Sequence, residues 1–165
     1  DLAAKWGDPL FSANVTNTIE PYAELVRYYR GRWVDYGHDP ADALVGAGSA
    51  GYYGAKTSQE AITTYRPIFD ARQAAMRKRG MEPVFHSIED AIERSSALIG
   101  SPQQIIEKVH RYHEQLGHEV LNLNADGTGL TPAQHRETLE LFQSKIAPVL
   151  RREIPSRPFP AALPQ

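Results

Sequence analysis

GSPQQIIEKVHRYHEQLGHEVLNLN, residues 100–124, holds a helix start, an apolar stripe, a stop and a strand in one run. Ser101 stands where an N-cap is wanted. Pro102 follows at the first helical position, where a missing N–H costs nothing and φ is already set. Ile105, Ile106, Val109, Tyr112 and Leu116 then recur at helical spacing and form one apolar face. Gly117 stops the helix, since glycine takes the left-handed conformation that closes a C-terminus. Glu119-Val120-Leu121-Asn122-Leu123-Asn124 alternates apolar and polar as a strand does.

The same grammar extends outward in both directions. Asp1 to Trp6 reads as the last turn of a helix closed by Gly7. A chain seldom begins inside a helix, so a fragment is the expectation. Asp8-Pro9-Leu10-Phe11-Ser12-Ala13 is a short apolar run that predicts a buried strand. Thr18 caps a helix with Pro21 in its first turn and Ala23, Val26, Tyr29, Arg30 and Trp33 at helical spacing, ending at Gly37. His38-Asp39-Pro40 is a loop. Residues 43–48 and 50–55 read as extended. Thr57-Ser58-Gln59-Glu60 has the capping-box pattern and starts a helix to about Lys78, which Gly80 to Pro83 breaks. Ser87 to Ile99 predicts a helix with an irregular end. Downstream, Asp126 to Gly129 is a loop. Thr131-Pro132 opens a last helix with Leu139, Phe142, Ile146 and Leu150 on one side and a kink at Pro148. Residues 1–154 thus form one domain, and the proline-rich tail 155–165 is expected to be extended or disordered.

Strands alternating with helices argue for a parallel sheet with helices packed over it, an α/β fold. Only two strands are well marked, and so few cannot close a barrel. The run therefore predicts part of a sheet. Lys and Arg total 18 against 20 Asp and Glu, for a net charge of −2. That balance lacks the basic excess of a nucleic-acid surface. The chain has no cysteine, which removes disulfides, thiolate metal sites and cysteine nucleophiles together. No segment approaches the ~18 apolar residues of a membrane span. A cytoplasmic location is the expectation.

Three motifs carry possible chemistry. Gly46-Ala47-Gly48-Ser49-Ala50-Gly51 matches GxGxxG, but the next helix signal comes only at Thr57 rather than directly after the glycines. A nucleotide-binding α/β domain using Gly46–Gly51 stays as an alternative, behind a glycine-rich strand or loop. His110 and His113 sit three apart on one helix with His118 beyond, yet no carboxylate cluster completes a metal set, and no metal is expected. Tyr22, Tyr28, Tyr29, Trp33 and Tyr36 read as helix packing. In parallel α/β sheets ligands meet the carboxyl ends of strands, which singles out Ser12, Ala13 and Asn14, and likewise Asn124 to Gly127.

The run Leu98–Val109 with Leu116–Leu121 resembles a stretch of the luciferase-like flavin-dependent monooxygenases, the bacterial luciferase superfamily. The closing Leu139–Arg151 is similar to that family's final helix, and Ala3–Phe11 to its helix-to-strand step. Tyr29-Arg30, Gly37-His38-Asp39-Pro40 and Thr57–Ala61 also match, in the same order. The resemblance implies a partial (β/α)8 TIM barrel, the C-terminal portion from about helix 6 onward, where a full barrel runs ~250 residues. It implies a cofactor, FMN or, in one branch, coenzyme F420; reduced flavin reacts with oxygen, and the peroxyflavin oxidises an organic small-molecule substrate. In the family most phosphate and catalytic contacts come from earlier strands and from a serine ahead of the position of Asp1. The catalytic residues therefore stay unknown, and Phe11, Ser12, Ala13 and Asn14 are the candidate cofactor-binding residues. The chain is expected to be inactive without its N-terminal half or a partner chain, with homo-oligomerisation usual in the family. A non-catalytic relative acting through dimerisation is the alternative.

Overall fold

A computed structural model describes residues 1–157. Its elements are α1 (Leu2–Trp6), β1 (Leu10–Ser12), α2 (Ile19–Asp35), β2 (Val45–Gly48), β3 (Tyr52–Gly54), α3 (Ser58–Lys78), α4 (Ile88–Arg94), β4 (Leu98–Gly100), α5 (Pro102–Leu116), β5 (Val120–Asn122), α6 (Pro132–Leu141) and α7 (Ala147–Glu153). Local chemistry sets most of the boundaries. The side chains of Thr57, Ser87, Ser101 and Thr131 each accept the backbone N–H three residues on, satisfying donors that a helix start leaves orphaned. Gly7 and Gly117 close α1 and α5 in the left-handed conformation, at φ 74° and 59°.

Two parallel sheets result. One has the order β1–β2–β5, and the other pairs β3 with β4. Leu10, Phe11 and Ser12 lie opposite Val45, Gly46 and Ala47, and Gly46, Ala47 and Gly48 lie opposite Val120, Leu121 and Asn122. The crossover from β1 to β2 is α2. The crossover from β2 to β5 carries the β3–α3–α4–β4 excursion before α5 returns the chain.

Strand alternation divides the three-stranded sheet into unlike faces. Leu10, Val45, Ala47 and Leu121 face α2 and α5, packing with Ala23, Val26, Tyr29, Trp33, Tyr112 and Leu116 in one core. Phe11, Gly46, Val120 and Asn122 alternate to the other face, where Phe11 is 56% and Val120 39% exposed. The smaller sheet is covered on both sides. Tyr53 and Ile99 pack with Ala61, Tyr65 and Ile68 of α3 and Ile88 of α4. Tyr52 and Leu98 pack with Ile105, Ile106, Val109 and Ile146. Buried Lys108 of α5 donates to the carbonyl of Ile92 near the end of α4, and burial pushes its ammonium down to about 7.

Several expectations need correction. The run Ser87–Ile99 is not one helix: α4 ends at Arg94, and Leu98–Gly100 is a strand. Ser95 ends the helix, its hydroxyl donating to the carbonyl of Ala91 and accepting the N–H of Ala97. The strand at Leu10–Ser12 is buried on one side only. Gly46 to Gly51 run from β2 into the link before β3, and α3 starts only at Ser58, so a strand and not a helix follows the glycines and the strand–loop–helix nucleotide arrangement is not formed. At Pro148, which has no N–H to return to the carbonyl four residues back, the ladder adjusts upstream as a π turn over Phe142–Ile146. Most of the expected tail, residues 158–165, lies outside the described residues.

Candidate functional site

The carboxyl ends of β1, β2 and β5 point the same way, and the polypeptide leaves them through Ala13–Asn17, Ser49–Gly51 and Leu123–Gly129. These exits are tied by buried hydrogen bonds. Ser12 donates to the Asn14 side-chain carbonyl, and the Asn14 amide donates to the Tyr112 hydroxyl. Tyr112 in turn donates to the carbonyl of Gly48 at 2.9 Å. Ser96 donates to the Asn14 carbonyl and accepts the Ala50 N–H. Ser49 accepts the Asn124 N–H at 2.8 Å, while its own N–H donates to the carbonyl of Asn122 at 3.1 Å. Ser12, Asn14, Ser49, Ser96 and Tyr112 are all buried. Each polar group there has a partner, as low-dielectric surroundings demand. Burial also pushes the Tyr112 phenol up to about 12.

The four candidate residues therefore divide between two sides. Ser12 and Asn14 point into the network that joins the strand ends to α5. Phe11 and Ala13 are exposed. Asn14 holds φ at 55°, the one positive value outside glycine among the described residues, a conformation asparagine tolerates better than most. Two glycines shape the open face. A Cβ on Gly46 would lie 2.7 Å from the Phe11 ring, and one on Gly48 would lie 2.3 Å from the Ala13 carbonyl oxygen. Glycine at both lets β1 and its ring lie close over β2.

After β5 the second candidate exit, Asn124–Gly127, is irregular and leads into a turn closed by the Leu130 N–H on the Gly127 carbonyl at 2.9 Å. Asp126 accepts the Thr128 N–H at 3.0 Å and its hydroxyl at 2.8 Å. These bonds, with Arg72 behind them, hold its carboxyl below the usual range. Arg72 of α3 reaches Asp126 at 3.1 Å and the Tyr65 hydroxyl at 2.9 Å, joining the excursion to this loop. The sequence offered no signal for that link.

The three histidines do not converge. His110 lies 3.0 Å from the Glu153 carboxylate, and His113 lies 2.9 Å from the carbonyl of His118. His118, packed on Tyr112 and His113, is buried at the amino end of β5, opposite the strand exits. Burial, with His113 and Arg30 nearby, pushes it down to about 4. No group of three or more His, Cys, Asp or Glu residues able to hold a metal ion is found among the described residues.

Parallel strands with helices on one face and an open end at their carboxyl termini define a segment of an α/β barrel. The family model of the luciferase-like monooxygenases matches residues 1–119, and the chain belongs to that family. Its fold is similar to that of a monooxygenase from Streptomyces bottropensis, at 18% identity and TM-score 0.69, covering 90% of this chain and 44% of that one. It is similar to the oxygenating constituent of 3,6-diketocamphane monooxygenase from Pseudomonas putida, a type II Baeyer-Villiger enzyme in complex with FMN (20% identity, TM-score 0.61, 89% of this chain, 44% of that one). It is also similar to the coenzyme F420-dependent tetrahydromethanopterin reductase of Methanopyrus kandleri (12% identity, TM-score 0.60, 89% of this chain, 46% of that one). The chain thus spans less than half the length of each. Comparison with curated protein sequences finds no match. No helix among the described residues is long and apolar enough to cross a membrane.

Proposed function

We propose that this chain supplies the later strands of a flavin-dependent monooxygenase barrel and acts only when the rest of the barrel is present. The observation that carries the reading is the bare face of the β1–β2–β5 sheet beside an ordered set of strand exits. Parallel sheets are stable with both faces covered, and here only the helix side is. Phe11 and Ala13 would border the flavin ring on the open face, while Ser12 and Asn14 fix the strand exit from behind.

The residues suit a ring system and not its phosphate. The strands contribute Phe11, two glycines, Val120 and the uncharged Asn122, a low and mostly apolar surface, and none of the three carries Lys or Arg. The anionic end of FMN or of coenzyme F420 would be met elsewhere in the barrel. Reduced flavin, when bound, would supply the reaction with oxygen that oxidises a small organic substrate. Phe11 and Ala13 would exclude water from that side of the ring, and the closed network would keep their backbone still.

The test joins the chain to barrel strands preceding Asp1 and titrates reduced FMN and reduced F420 into the joined protein and into the chain alone. Flavin binding with flavin-dependent oxygen uptake is expected of the joined protein only, and F11A should weaken binding several-fold. Failure of the joined, folded protein to bind either cofactor overturns the reading. The bare face also supports pairing with a partner chain or a second copy. Sedimentation of the chain as a compact monomer would count against that pairing.

A further inference from the structure

Behind the strand exits lies a cavity of about 190 Å³ between α3, the 83–85 segment and β4. Val15 and Ala50, just past β1 and β2, open it toward the strand ends, and Phe69, Met76, Phe85 and Ile99 are among its walls. Most polar side chains on its lining, Thr16, Tyr65, Arg72, Gln73 and Ser95, already hold a hydrogen bond. Gln73 donates to the Phe85 carbonyl at 2.9 Å, and Thr16 pairs with the Tyr22 hydroxyl at 2.9 Å. Ser95 is bonded to Ala91 and Ala97. Arg72 is held by Tyr65 and Asp126.

An uncharged polar group or a cation entering there would lose its hydration and gain little in return, the more so for a cation because the Arg72 guanidinium stands on the wall. An uncharged apolar group would lose nothing. The volume is modest: an engineered void of about 150 Å³ takes benzene, whereas drug-sized ligands need ~300 Å³ or more. We propose that this cavity is a binding subsite for an uncharged apolar group the size of one ring or a short branched alkyl chain. Calling that group the end of the monooxygenase substrate rests on the function proposed above. The cavity's preference for it does not.

The two are separated by titrating the full 165-residue chain, without flavin, by amide NMR with toluene and with benzylammonium, the same ring carrying a positive charge. Toluene should shift amides around Ala50, Phe69, Phe85 and Ile99, and benzylammonium should bind at least tenfold more weakly. Ala97→Leu, which adds atoms at the cavity wall, should weaken toluene at least tenfold. Val84→Trp, at a half-exposed rim position that cannot upset the core, should do the same if Ala97→Leu fails to fold. Benzylammonium binding as well as toluene, toluene shifts clustered elsewhere, no toluene binding, or undiminished binding in the filled variant each overturn the proposal. None of these outcomes bears on flavin binding.

Discussion

Asn14 joins a backbone requirement to a side-chain one, and two substitutions pull them apart. Its φ of 55° costs an alanine roughly 1–2 kcal/mol. Its side chain accepts from Ser12 and donates to Tyr112 across 98 residues of chain. Removing it leaves the buried Ser12 hydroxyl without that acceptor, a loss of about 1–3 kcal/mol. N14A should therefore destabilise the fold by about 3 kcal/mol. N14G suffers the same hydrogen-bond loss but accepts the left-handed backbone, offset by about 0.5–1 kcal/mol of extra chain entropy. It should come out more stable than N14A by roughly 0.5–1 kcal/mol. Urea denaturation resolves this: at a slope near 2 kcal/mol/M, a 3 kcal/mol loss moves the midpoint by about 1.5 M. Wild-type stability in N14G would show that the network contributes nothing. A midpoint for N14A at or above that of N14G would refute the backbone argument.

Three further outcomes follow from the same geometry. His118 titrates near 4 when folded and near 6.5 when unfolded, so the unfolded chain binds more protons between those values, and stability falls as pH drops from 6.5 to about 4. The total is about 3 kcal/mol at most, at ~1.4 kcal/mol per pH unit; H118Q should flatten that part of the urea-midpoint profile, and an unchanged slope would sink the assignment. G48A should cost at least 1–3 kcal/mol because its Cβ meets backbone, the Ala13 carbonyl oxygen at 2.3 Å, whereas G46A meets only the Phe11 ring, which can swing into open space; thermal melts giving the reverse order would refute this reading of the face. D126N removes an ion pair exposed by more than a third on both sides, so global stability should change by less than about 1 kcal/mol, while amide exchange over residues 125–130 should quicken; unchanged exchange would show that Arg72 does not hold the loop.

What was legible in the sequence was local. Ser101, Thr57 and Thr131 announce helices because a cap and its orphan amide lie three residues apart, and Gly7 and Gly117 announce ends because one residue's φ decides them. β4 was missed because Leu98–Gly100 is only three residues long and its strand character comes from Tyr52–Gly54, more than forty positions upstream. The division of Phe11–Asn14 into two facing sets was equally hidden. Alternation says that Phe11 and Ser12 point apart, but not which side the helices take. That choice is made by Val26, Trp33 and Tyr112, which lie in other elements. The apolar cavity has no local signature, since its walls come from β1's exit, α3, the 83–85 segment and β4.

The division at β1 also constrains where chemistry can occur. A ligand at the strand exits cannot use Ser12, Asn14 or Tyr112 without breaking bonds that hold the ends of β1 and β2 to α5, and each bond so broken would leave a buried polar group unpaired. Chemistry is thus confined to the opposite face, where Phe11 and Ala13 stand over two glycines, and to the cavity opening at Val15 and Ala50. Both surfaces are largely apolar, and the hydroxyl, amide and guanidinium groups at the cavity wall are held in hydrogen bonds. On the proposed function, the reactive group there would be a flavin held by the rest of a barrel.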